Sequence, residues 1–165
     1  MVSNDQPTVR IWHENLAVMA VNDRKPLSAL TPESHVHGGL RLEIAGRLVP
    51  CLGYWNPDDV CFAQWLEELR HAAEALRTPG GRYTFDEGEQ GQPAFVFERD
   101  GERGFFTIAA SEISDGEAHS DWQRIEFSPS DFGAAHDRFR ESFFAELRAA
   151  APGPSEVWLR RFAPT

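Results

Sequence analysis

"PAFVFERDGERGFFTIAA", residues 93–110, is the stretch whose reading decides how this chain folds. Asp100-Gly101 is a strong hairpin signal, because both central positions of a type I′ turn need positive φ. The flanks are rich in Phe, Val and Ile, which suit a pleated, half-buried surface. A two-residue turn at Asp100-Gly101 predicts that Arg99 faces Glu102 and Glu98 faces Arg103, two opposite-charge cross-strand pairs. The same register sets Phe95 opposite Phe106 and Val96 opposite Phe105. Apolar residues then occupy both faces, which marks inner strands of a sheet.

Outward from the hairpin, Tyr83 and Phe85 share one face of a preceding strand, and "WQRIEF" (Trp122 to Phe127) adds another with Ile125 and Phe127 inward. Two amphipathic helices should cover this sheet. The first is expected from "YWNPDDVCFAQWLEELRHAAEALRTPGG", with Asn56 as N-cap, Pro57 at the first helical position and Asp58 and Asp59 in the first turn. Trp55 and Val60 are placed to form a hydrophobic staple, and Phe62, Trp65, Leu66, Leu69, Ala73 and Leu76 fall on one face. The second follows the same grammar: Ser128 caps, Pro129 opens, Asp131 sits in the first turn and Phe127 staples to Phe132. Its buried stripe reads Phe132, Ala135, Phe139, Phe143 and Leu147, ended by "APGP".

Near the start, Val9 and Ile11, then Leu16, Val18 and Ala20, alternate with their neighbours, which predicts two short strands with a turn near Glu14-Asn15. Residues 22–38 read as a long loop, followed by a strand carrying Leu40, Leu42 and Ile44 and a turn at Gly46 leading into Leu48 to Cys51. Residues 154–165 read as a tail, in which Val157, Trp158, Leu159 and Phe162 look exposed and would suit a homodimer contact. The expected fold is α+β: a mainly antiparallel sheet with two amphipathic helices on one face, in a single domain spanning 1–165.

Composition agrees with a folded domain, since 41% of residues are apolar, with twelve Phe and five Trp. No apolar run reaches the roughly 18–20 residues of a membrane span. "MVSNDQPTVRIWHENL" lacks the basic and apolar regions of a signal peptide, so a cytoplasmic protein is expected. Cys51 and Cys61, in no C-x-x-C pair, read as buried free thiols.

Charge is the most informative total. Between Thr84 and Asp121 lie ten acidic residues and only two basic ones, Arg99 and Arg103, so this segment carries −8 of the net −10. Such a field repels nucleic acid and anionic membrane and steers a basic partner, although net charge also serves solubility alone. The partner-binding residues expected on this ground are Asp86, Glu87, Glu89, Glu98, Asp100, Glu102, Glu112, Asp115 and Glu117.

Other chemistry is weakly signalled. Asp86, Glu87 and Glu89 could form a glycosidase pair, but that chemistry needs one carboxyl kept protonated in an apolar pocket. Gly88, Gln90, Gly91 and Gln92 around them are turn residues instead. His35 and His37 form an H-x-H pair able to share one side of an extended chain, yet no third zinc ligand lies near them in sequence, and they read as loop leading into a strand. Asp115, Glu117, His119 and Asp121 alternate, which leaves adventitious calcium or zinc beside the simpler reading of a solvated loop. His71 and His136 fall on helices and suit a surface or helix boundary, and His13 stands alone. No nucleophile elbow or phosphate-cradling glycine loop is present, so no catalytic residue, cofactor or metal site is assigned.

The succession "LRLEIAGRLVP", "FAQWLEELRHAAEAL", "GFFTIAA", "WQRIEF" and "FRESFFAELRAA" resembles the small bacterial immunity proteins of the WapI-immunity type, over Leu40 to Ala150. The likeness lies in element order and hydrophobic pattern. It implies a non-enzymatic protein that binds and blocks a cognate toxin, and the acidic segment implies that the toxin domain is basic. The alternative is a small ligand-binding domain, or an enzyme whose site is assembled from sequence-distant residues.

Overall fold

Strand β1 (Val9–Ala20) runs through the stretch expected to hold a turn. Asn15 takes φ 52° and the register shifts between Glu14 and Ala17, so the irregularity is a bulge within one strand. A bulge keeps the alternation intact on both sides, which is why the pattern read as two strands. The fold was obtained as a computed structural model that describes residues 6–21, 23–53 and 56–163. Asn22, Pro164 and Thr165, at the edges of the expected loop and tail, lie outside the described residues, as does Trp55 of the expected staple.

The architecture is α+β, with two antiparallel sheets rather than one. In the first, β2 (Asp23–Lys25), β1, β3 (His35–Ile44) and β4 (Arg47–Leu48) lie side by side, and β5 (Val60–Cys61) pairs with β3. The segment expected as loop therefore holds β2, a short 3-10 turn at Leu27–Ala29 and the start of β3. Leu27, Leu30 and Val36 are buried there, which fixes its course despite the prolines. The second sheet has the order β6 (Arg82–Asp86), β7 (Ala94–Asp100), β8 (Arg103–Ala109), β9 (Ile125–Phe127). Trp122 is buried but precedes that last strand.

The hairpin exists, with a register two residues from the expected one. Asp100 pairs with Arg103, Phe97 with Phe106 and Phe95 with Ile108, so the turn residues are Gly101, at φ 58°, and Glu102. A two-residue slip keeps every side chain on its face, whereas a one-residue slip would invert them. Phe97 and Phe106 then meet with ring centroids 5.2 Å apart. Arg99 is drawn away from a cross-strand role: its guanidinium donates to the carbonyls of Leu76 and Arg77 at the end of the first helix, both at 3.0 Å.

Helix α1 (Phe62–Ala75) begins six residues after Asn56. Asn56 caps a turn instead, its side chain accepting the Asp58 N–H at 2.8 Å, and Val60–Cys61 is taken by the sheet. The expected apolar face is correct: Phe62, Trp65, Leu66, Leu69, Ala73 and Leu76 are all buried. Helix α2 (Pro129–Ala150) starts as expected, with the Ser128 side chain accepting the Asp131 N–H and Phe127 against Phe132. α1 packs on both β3 and the β6–β7 pair as well as on α2, so one aromatic core joins the two sheets.

The expected tail is a third helix, α3 (Pro154–Arg161). Trp158 and Phe162 are buried, at 2% and 4% exposure, so the apolar residues read as a dimer contact close the core instead. Arg140 of α2 donates to the Phe162 carbonyl and anchors the end. His136 departs from expectation as well: it is 4% exposed, because the Ala-rich turn around it lies against α1 rather than solvent.

Candidate binding surface and a cysteine–histidine–aspartate cluster

The acidic segment folds into two separate places. Asp86 pairs with Ala94 at one end of the second sheet, whereas Asp100 and Glu102 sit at the hairpin end. Strands of this length separate the two by roughly 20 Å. At the hairpin end the charges are balanced. Glu98 lies 3.1 Å from Arg82 and 3.6 Å from Arg124, and Glu102 lies 3.7 Å from Arg99. Asp100 is opposite Arg103, whose guanidinium binds Glu126. Glu98, Asp100 and Glu102 therefore do not belong to one continuous acidic face with the others.

The remaining six expected residues come together where the β6–β7 and β8–β9 loops meet. Asp86 accepts hydrogen bonds from Ser111 Oγ at 2.7 Å and from the Glu112 N–H at 2.9 Å. Ser111 Oγ accepts in turn from the N–H groups of Ile113 and Ser114. Asp115 accepts the Gly91 N–H at 2.7 Å, and Ser114 Oγ donates to the Gln92 carbonyl at 3.1 Å. Gly116 lets the loops touch: a Cβ there would lie 1.8 Å from the Gln92 oxygen. Asp86 and Asp115 are thus structural carboxylates that fasten two loops, not free members of a solvated cluster.

Around this fastened junction, Glu89, Glu112, Glu117 and Asp121 are exposed, and none of the acids here forms an ion pair among the described residues. Glu87 is half-buried, and its carboxyl is pushed above the usual range by burial, then by Glu89 and Glu68. Glu68 accepts the Tyr83 hydroxyl, whose own ionisation is pushed up by burial and by that carboxylate. Ile113 stands between the acids with 69% of its surface exposed. An open depression of about 520 Å³ is lined by Gly91, Asp115, Glu117, His119 and Asp121. Among the described residues no three His, Cys, Asp or Glu side chains are grouped to hold a metal, the alternating 115–121 run included.

A second grouping was not legible in sequence. β5 places Cys61 directly opposite His37 of β3. The His37 Nδ1 lies 2.8 Å from Asp59 Oδ1. The facing His37 imidazole draws the Cys61 thiol below its ordinary range, against burial, and the backbone N–H groups of Gln64 and Ala63 act the same way. His37 is raised by the same partner, and further by Asp59. Cys51 contrasts with it, since burial pushes its thiol up; its sulfur lies 3.9 Å from His119 Nε2. Both cysteines are free and half-buried rather than fully buried. His35 and His37 both belong to β3, so the H-x-H pair is strand and not loop. The local sequence pattern puts Cys61 inside a helix, whereas a pairing distant in sequence takes it into β5 opposite His37.

No family model, curated protein or solved structure matches the chain. Among the described residues, no helix is long and apolar enough to cross a membrane.

Proposed function

We propose that this chain is a non-enzymatic binding protein of the immunity type, which neutralises a basic toxin domain through the acidic loop junction. The observation that carries the reading is the junction itself. Its carboxylates have no basic partners among the described residues, and they surround an exposed Ile113 on loops fastened by Asp86 and Asp115. Unpaired charge steers an oppositely charged protein and raises its association rate. An apolar residue inside a charged rim supplies area to bury once the partner arrives. Fastened loops lose little conformational freedom on binding, which favours affinity. The resemblance to immunity proteins supplies the class of partner, and the cytoplasm is where such a protein would meet it.

The test is growth rescue. Cells expressing the toxin domain encoded beside this gene should survive when the chain is co-expressed and die when it is not. No rescue, or no toxin gene in that position, would overturn the proposal.

A further inference from the structure

Cys61 sits where three elements meet. It ends β5, faces His37 across the ladder and is the N-cap of α1, with φ −83° and ψ 110°. Opposite residues in an antiparallel pair have Cβ atoms about 4.5–5.5 Å apart on one face, so ring and thiol are neighbours by register. Cys61 makes no side-chain capping hydrogen bond, but the N–H groups of Gln64 and Ala63 at the helix start favour its ionised form. The positive end of a fourteen-residue helix favours an anion there. Asp59, two residues before, orients the His37 ring and stabilises it when protonated. The other charges nearby are spent: Asp58 is bound by Arg41, which also lies 3.2 Å from Glu14. His35, on the same side of β3, is exposed to solvent.

We propose that Cys61 is a nucleophilic thiolate, paired with His37 and oriented through Asp59, and that it is a site of reversible thiolation by low-molecular-weight disulfides. In this step the Cys61 sulfur attacks one sulfur of the disulfide. A new S–S bond forms, the old one breaks, and the departing thiolate carries away the electron pair and takes a proton from water. Cys61 is oxidised and half of the disulfide is reduced, so no further oxidant enters. Thiolates activated by a neighbouring imidazolium and a helix N-terminus are the ones that react this way near neutral pH.

The experiment is mass-mapped labelling of the folded chain with limiting iodoacetamide from pH 6 to 9, followed by exposure to oxidised glutathione. Cys61 should be alkylated severalfold faster than Cys51 at pH 7, with a midpoint below that of Cys51. Oxidised glutathione should add one glutathione at Cys61, removable by dithiothreitol. His37→Asn should move the Cys61 midpoint upward and slow its labelling at pH 7 while leaving Cys51 unchanged, and Asp59→Asn should act in the same direction less strongly. The wild-type comparison of the two cysteines stands even if a variant fails to fold. Equal labelling of both thiols at pH 7, or an adduct on Cys51 alone, would overturn the proposal.

Discussion

Acid should loosen the packing of α2 on α1, and His136 sets by how much. The side chain is 4% exposed, and its Nε2 has no hydrogen-bond partner among the described residues. Burial lowers it from its ordinary 6.5 to about 4. Arg140 and Arg77 act in the same direction, while Asp137 and Glu74 oppose them. Between those two values the unfolded chain binds a proton that the folded chain refuses, so stability is complete above pH 6.5 and falls as pH drops toward 4. At pH 4.5 the loss from this one group is about 2.5 kcal/mol, a sizeable part of a domain's stability. His13, also lowered by burial and partly restored by Glu146, adds in the same direction. Carboxylates titrate in this range too, so the contribution is isolated by comparison with His136→Leu. Urea unfolding followed by tryptophan fluorescence at pH 7 and pH 4.5 is the assay. Wild type should lose about 2.5 kcal/mol more than the variant between the two conditions. Parallel losses in the two proteins would refute the reasoning.

Two further outcomes follow from the packing. Asp86→Asn leaves Ser111 Oγ and the Glu112 N–H with a weaker acceptor, and should cost about 1–2 kcal/mol in urea unfolding; Glu89→Gln, exposed and without structural bonds, should cost under about 0.5 kcal/mol. Trp158→Ala opens a cavity under α3 and should destabilise the whole domain by about 3–5 kcal/mol, whereas an exposed tail would tolerate it without change in melting temperature.

What could be read from the sequence was what local chemistry decides. The start of α2 is a sum of neighbours: Ser128 caps, Pro129 opens, and Phe127 meets Phe132, all within one turn. The same grammar misplaced α1, because the Asn56-Pro57 turn is followed by residues that β3 claims through a pairing distant in sequence. Hairpin existence was legible from the Asp-Gly pair; its register was decided by Arg99 binding the end of α1 and by Phe97 meeting Phe106. Along the chain the acidic residues form one run, yet strand direction sends Asp86 and Asp100 to opposite ends of the sheet. Nor can composition distinguish the carboxylates that fasten loops, Asp86 and Asp115, from Glu89, Glu112 and Glu117, which face solvent.

Glu89, Glu112 and Glu117 are changed together to Gln, leaving Asp86 and Asp115 in place so that the loop junction stays closed. The association rate with the proposed partner, a basic toxin domain, is then followed by stopped-flow fluorescence over a range of salt concentrations. The triple variant should associate about tenfold more slowly at low salt, and the gap should close as ionic strength rises and screens the charges. A triple variant that keeps its melting temperature and associates as fast as wild type at low salt would contradict the account.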